Sequence, residues 1–299
     1  MDRHLLVATD GTDEARGALH LALGLVRRGM RSPLVLAVQE PLLLYDVAAP
    51  ERMAEIQLEL ERLGMQRLRE AVEAQLAELG SKARSWRVKV EVGSPAEVIA
   101  DTAREHGAAL ILLGLGQHGR AERWSGGETA LRVMQLAHAP VLAAHPEARN
   151  LPKRALVAED FSELSREAGI WALDLLEPGG ELHLAHVLRM PPTDAGLMTG
   201  DWLDRTLESV RASLEERRRE LAATGRATIW THALQGEPAP ELLRLAQRLE
   251  VELITAGRHG RGFLGRLLIG SVSTRLVRRA ECSVLIVPPR LRAEEDRGG

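Results

Sequence analysis

Short uninterrupted apolar runs alternate along this chain with longer stretches whose apolar residues recur three and four positions apart. The runs include Leu5-Leu6-Val7-Ala8, Leu34-Val35-Leu36-Ala37-Val38, Ala109-Leu110-Ile111-Leu112-Leu113 and Val141-Leu142-Ala143. A second series follows: Ala155-Leu156-Val157-Ala158, Leu182 to Val187, Leu253-Ile254-Thr255-Ala256 and Val284-Leu285-Ile286. Continuous apolarity over so few residues predicts parallel strands covered on both faces. Between them, Glu51 to Leu79 carries Ile56, Leu60, Leu63, Leu68, Val72 and Leu76 at helical spacing, and Asp201 to Ala223 and Val272 to Ala280 also read as helices. Alternating strand and helix predicts α/β architecture, an open parallel sheet with helices on both faces.

The two series are copies of one another. Leu5 to Thr12 is echoed by Ala155 to Ser162, Gly93-Ser94-Pro95 by Gly236-Glu237-Pro238, Ala109 to Gly114 by Glu252 to Gly257, and Ala139 to Ala143 by Cys282 to Ile286. Landmarks repeated in order at an offset of half the chain predict a duplicated domain. The boundaries fall at 1–148 and 153–290, with a linker from Glu147 to Lys153 broken by Asn150-Leu151-Pro152.

Composition narrows the classes. The 299 residues are 45% hydrophobic but 3% aromatic, so two cores must be aliphatic. A net charge of -3, with no basic stripe carrying aromatic residues, argues against a nucleic-acid surface. Arg217-Arg218-Arg219 sits beside Glu215, Glu216 and Glu220 and reads as a solvated helix face. Cys282 alone allows no internal disulfide and reads as a buried small hydrophobe. No apolar run approaches the ~20 residues of a membrane span, and the first residues lack the apolar core of a signal peptide. A soluble cytoplasmic protein without membrane contact is the expectation.

The candidate chemistry lies at Gly257-Arg258-His259-Gly260, continuing to Gly270-Ser271-Val272-Ser273. Here a strand passes through a glycine-rich loop into a helix start, an arrangement whose backbone N–H groups and helix dipole bind phosphate. Taken singly, such glycines are turn residues and such a serine is a cap. The full spacing Gly-x2-Gly-x9-Gly-Ser, joined to Asp160 on the first strand of the same half, favours the phosphate reading.

These motifs resemble those of the universal stress proteins in their tandem, two-domain form, and the resemblance covers nearly the whole chain. It implies two doubly wound five-stranded parallel-sheet domains of the adenine nucleotide alpha hydrolase-like kind, packed as an intramolecular pseudo-dimer through their last strands, with a further homodimer open. It implies ATP, with or without magnesium, as the ligand. Gly257, Gly260, Gly270, Ser271, Val272 and Ser273 would hold its phosphates and ribose, Asp160 the nucleoside and the backbone of Val187 the adenine. Arg258 and Arg261 add positive charge. Glu159 departs from the usual apolar residue; alternation along the strand sends it to the face opposite Asp160.

The first half keeps Asp10, Gly11 and Thr12 and the interval from Gly114 to Gly127, but its internal glycines are Gly116 and Gly119 and its helix opens with Glu128 in place of Ser271. A carboxylate there satisfies the helix dipole and repels phosphate, so the first half is expected to bind nucleotide poorly or to bind something else. The run Gly114-x-Gly116-x2-Gly119 follows the wrong strand for a dinucleotide fingerprint. No P-loop, metal motif or catalytic triad can be assembled. His118 and His259 are either ligand contacts or ordinary loop residues, and His183 and His186 fall on opposite faces of one strand. A nucleotide-responsive binding protein leads, ahead of a slow ATP-hydrolysing enzyme on the same loop and a ligand-free scaffold.

Overall fold

The computed structural model describes residues 4–41, 50–115, 126–189, 200–260 and 268–289, with side chains left undescribed at 50–52, 126–127 and 200–202. The chain divides into two compact units, Met1–Asn150 and Leu151–Gly299. No helix among the described residues is long and apolar enough to cross a membrane.

Unit 1 runs β1 (His4–Ala8), α1 (Arg16–Arg27), β2 (Leu34–Gln39), α2 (Pro50–Glu78), the short α3 (Ser81–Arg84), β3 (Arg87–Val92), α4 (Pro95–Glu105), β4 (Ala108–Gly114), α5 (Gly126–Leu136) and β5 (Val141–Ala144). Unit 2 runs β6 (Arg154–Ala158), α6 (Glu163–Leu175), β7 (Glu181–Leu188), α7 (Gly200–Ala222), β8 (Thr228–Gln235), α8 (Pro238–Arg248), β9 (Leu253–Gly257), α9 (Ser271–Arg279) and β10 (Ser283–Val287). Within the units the strands pair in the orders β3-β2-β1-β4-β5 and β10-β9-β6-β7-β8. Every pairing is parallel. In each unit the chain builds outward from the first strand, then crosses back to add the fourth strand on its other side. The expected doubly wound, five-stranded order is therefore the observed one.

The central strands explain why the sequence read so plainly. Leu6, Val7, Leu110, Ile111 and Leu112 in unit 1, and Leu156, Val157 and Ile254 in unit 2, are sealed from solvent at 0% exposure. Burying each such side chain stabilises by about 1.5–3 kcal/mol. The strands β3 and β8 end their orders, and β3 alternates instead (Arg-Val-Lys-Val-Glu-Val), as strands with one wetter face do.

Helices approach the sheet where glycine permits. A Cβ on Gly17 of α1 would lie 2.1 Å from the carbonyl oxygen of His145, just beyond β5. Gly114 and Gly257, which close β4 and β9, do the same for the first helix of each unit. A Cβ on Gly114 would meet Cα of Ala15 at 2.8 Å, and one on Gly257 would meet Cβ of Leu164 at 2.7 Å. Backbone cannot yield as a flexible side chain can, so Gly17→Ala should cost on the order of 1–3 kcal/mol through overpacking. Urea denaturation reads this as a lowered midpoint, and an unchanged midpoint would show that α1 is free to shift.

Candidate functional site

In unit 2, β6 and β9 are neighbours whose onward connections leave in opposite directions along the sheet, the switch point beyond whose carboxyl ends open α/β sheets bind ligands. Asp160 stands at the end of β6, where its Oδ1 accepts the Ser162 N–H at 3.0 Å and closes a turn. Ser162 then caps α6 by accepting the Ser165 N–H at 3.1 Å. Gly260 lies directly across, for a Cβ there would sit 2.8 Å from Asp160 Oδ2. The strand exit and the helix start are tied together by the Gly270 N–H, which donates to the Arg258 carbonyl at 2.7 Å.

The opening of α9 leaves donors available. Gly270 is the N-cap, and its carbonyl takes the first intrahelical bond from Thr274 at 2.9 Å. The N–H groups of Ser271, Val272 and Ser273 are therefore the ones that a helix cannot satisfy internally. The serines differ. Ser271 is exposed, whereas Ser273 is buried and its hydroxyl donates to the Gly257 carbonyl at 2.8 Å. The hydroxyl of Ser273, expected to face phosphate, instead welds α9 to β9; only its backbone N–H remains for a ligand. The side-chain direction of Gly257 is taken by Leu164 of α6, whose Cβ would lie 2.7 Å from a Cβ there.

Val187, the residue expected to meet adenine, is the penultimate residue of β7. The Ala185 carbonyl accepts from Glu159 on the β6 side, and the Leu188 carbonyl accepts from Gly236 on the β8 side. Alternation turns the Val187 peptide toward β6, beyond that strand's last residue, Ala158. Arg258 is buried at 6% exposure, and burial lowers its pKa; His259 is lowered too, by burial first and then by Arg258, against an opposing pull from Asp160. Arg261 and His118 lie outside the described residues.

Glu159 does face away from Asp160, but into the protein. Its carboxylate is sealed against Arg217 of α7, Nε to Oε2 at 3.1 Å, and it accepts the Phe161 N–H at 2.7 Å and the Ser165 hydroxyl. Burial is the main influence on Glu159 and raises its pKa, with Ser165 and Arg217 pulling the other way. Arg217, with 11% of its side chain exposed, also reaches the Ser162 carbonyl at 3.4 Å. The solvated-face reading thus fails for this one arginine of the three. His186 was missed as well. Its Nδ1 stands 2.8 Å from the Glu159 carbonyl, which can only accept, so Nδ1 carries the proton. Its ring stacks on Phe161, which holds the left-handed φ of 62°. The sequence signal for Arg217 was the Glu159 anomaly, a carboxylate in an apolar run that demanded a partner; His186, which meets only the backbone carbonyl of residue 159, had none.

Unit 1 builds the same turn from neutral parts. Thr9 replaces Glu159 and accepts the Gly11 N–H at 3.1 Å; Gln75 of α2 replaces Arg217 and donates to the carbonyls of Gly11 and Thr12 at 2.9 and 2.8 Å. Gly11 takes the positive φ of 76° without strain. A cleft of about 310 Å³ opens at the carboxyl ends of β1, β2 and β4. Among the described residues, no three His, Cys, Asp or Glu side chains converge as a metal site. Cys282 is buried, its thiol pushed up to about 12 by burial.

Comparison with known proteins follows the duplication. The sequence model of the universal stress protein family matches residues 1–145 and again 152–288. A universal stress protein of Methanocaldococcus jannaschii is 29% identical over 141 residues, 46% of this chain and 83% of that protein. YxiE of Bacillus subtilis is 32% identical over 144 residues, 45% of this chain and 97% of that protein. The crystal structure of a universal stress protein from Archaeoglobus fulgidus, 20% identical, shares the fold with a TM-score of 0.60 over 95% of this chain and 96% of that one.

The two versions of the turn generate a prediction. Arg217→Gln should strand a buried carboxylate and cost about 3–5 kcal/mol, while Glu159→Thr combined with Arg217→Gln, the unit 1 pair, should recover most of it. Because the folded-state pKa of Glu159 is raised, its protonated form favours the fold, and that contribution is lost as pH rises through the folded value. The Arg217→Gln penalty should therefore shrink on acidification. Chemical denaturation across pH checks it; a penalty that is flat with pH, or unrelieved in the double variant, contradicts the pairing.

Proposed function

We propose a nucleotide-responsive binding role for this chain, which belongs to the universal stress protein family. In this reading unit 2 holds an adenine nucleotide, ATP, beyond the ends of β6 and β9. One observation carries it: the Gly270–Arg258 hydrogen bond of 2.7 Å brings the free N–H groups of α9 beside the loop whose Gly260 lies against Asp160. Phosphates would sit on the N–H groups of Ser271, Val272 and Ser273, where a helix start favours negative charge. Asp160 Oδ2 would accept from the ribose, and the Val187 peptide would pair with the adenine edge. Arg258 would add charge from within the wall. Magnesium, if present, would arrive with the polyphosphate. The proposed output is stabilisation of one conformation by the ligand rather than turnover.

Ser271→Glu places the unit 1 residue at an exposed position, where a substitution by itself changes stability by no more than about 0.5 kcal/mol. It should weaken ATP binding at least ~10-fold through repulsion at the helix start. Gly260→Val should do the same by crowding Asp160. Isothermal titration calorimetry reads both, and unchanged affinity in either variant contradicts the proposed phosphate position. Phosphate release that falls in both variants would replace the binding role with an enzymatic one.

A further inference from the structure

The two units carry the same outer strand with opposite chemistry. The Gly93 N–H donates to the Gln39 carbonyl at 3.0 Å and the Gly236 N–H to the Leu188 carbonyl at 3.0 Å, so these glycines close β3 and β8 at the same place. Counting back from them matches Arg87 with Trp230, Lys89 with His232 and Glu91 with Leu234. Every charged residue of β3 thus stands where β8 has an aromatic or aliphatic one. In β3, Lys89 and Glu91 pair with each other as ions. In β8, the run Thr-Ile-Trp-Thr-His-Ala-Leu-Gln holds no Asp, Glu, Lys or Arg, and neither Pro nor Gly breaks it. Its Trp230 is 50% exposed, with His232 and Leu234 half-buried on the same face.

An edge strand offers its free N–H and C=O groups to any other strand, and charges on it, lysine above all, prevent that pairing. β3 has this protection and β8 lacks it. The N–H groups of Thr228 and Gly236, at the two ends of β8, donate inward to the carbonyls of Gly180 and Leu188, each at 3.0 Å. Peptide directions alternate along a strand, so Ile229, Thr231, Ala233 and Gln235 turn their backbone groups outward. Among the described residues, no strand pairs with β8 on that side. His232 does not charge the edge at neutral pH. Burial above all, then His183 and Arg248, lowers its pKa, and its Nε2 lies 3.1 Å from His183 Nδ1.

We infer that β8 pairs with the β8 of a second copy of this chain, antiparallel about a two-fold axis through His232. In this register Thr231 meets the partner's Ala233 and Ile229 meets the partner's Gln235. Those are the four residues whose backbone groups face outward, two on each side of the axis, so the strand satisfies itself along its length. Trp230 falls against the partner's Leu234 and His232 against the partner's His232, at the closer positions between hydrogen-bonded pairs. No charge opposes another. The same register in β3 would set Lys89 against its own copy, a like-charge pair. Such a contact is isologous and closes at two chains, with unit 2 making it alone.

The test is the oligomeric state of the full chain, by sedimentation across a range of concentration. The unaltered chain should dimerise. Trp230→Lys combined with His232→Lys should weaken dimerisation at least ~10-fold, by charging the edge and the axis. Ala233→Pro removes an outward N–H while keeping Trp230, His232 and the bonds to β7, and it should weaken dimerisation to a similar degree. Circular dichroism melts establish that each variant folds. His232→Cys should yield a disulfide-linked dimer on mild oxidation, because a cysteine on the axis meets its own copy. Trp230→Cys, off the axis, should not. The native Cys282 is buried and stays out of the reaction. A chain that is monomeric at every concentration overturns the inference. So does a dimer that survives both the lysine and the proline changes, or one that cross-links through Trp230→Cys and not through His232→Cys.

Discussion

Two strands that are adjacent in the sheet but remote in the chain determine where anything can bind. In unit 2, β6 and β9 pair through Ala155, Leu156 and Val157, yet the chain leaves β6 toward β7 and leaves β9 toward β10. The helices that follow must diverge. Asp160, Gly260 and the start of α9 lie at the carboxyl ends of these two strands. Unit 1 repeats the constraint with β1 and β4. The place that open parallel sheets use for ligands is thus a by-product of the winding, present before any particular side chain is chosen.

What duplication then altered is the chemistry on a fixed rim. The pairs Thr9 with Gln75 and Glu159 with Arg217 hold the same turn, one with neutral hydrogen bonds and one with a sealed ion pair. The charged version imposes desolvation on both partners, and burial raises the pKa of Glu159 in spite of its arginine. It also accompanies a strained residue, Phe161, where unit 1 has Gly11. Stacking on His186 and the proton on its Nδ1 hold that strained segment in place.

The architecture was legible because the central strands are buried on both faces and their apolar runs have no other use. The edge strands β3 and β8 announced themselves less clearly, since alternation such as Arg-Val-Lys-Val-Glu-Val competes with helical and loop readings. At the candidate site, the sequence pattern did not show what two of the small residues do for the packing. Gly257 makes room for Leu164, and Ser273 satisfies a carbonyl; both are requirements of packing that precede any ligand. Arg217 escaped because a run of three arginines beside glutamates looks uniform in sequence, and only the turn of α7 decides which one points inward.

The tie between Glu159 and Arg217 has a mechanical meaning. One residue of the pair adjoins Asp160, and the other lies near the end of α7, a helix of 23 residues. Ser162, bonded to Asp160, is also bonded to Arg217. Any shift of the rim on which Asp160 stands therefore drags on a long lever anchored by a charge that cannot be left bare. The turn after β6 and the last turns of α7 are thereby one mechanical unit.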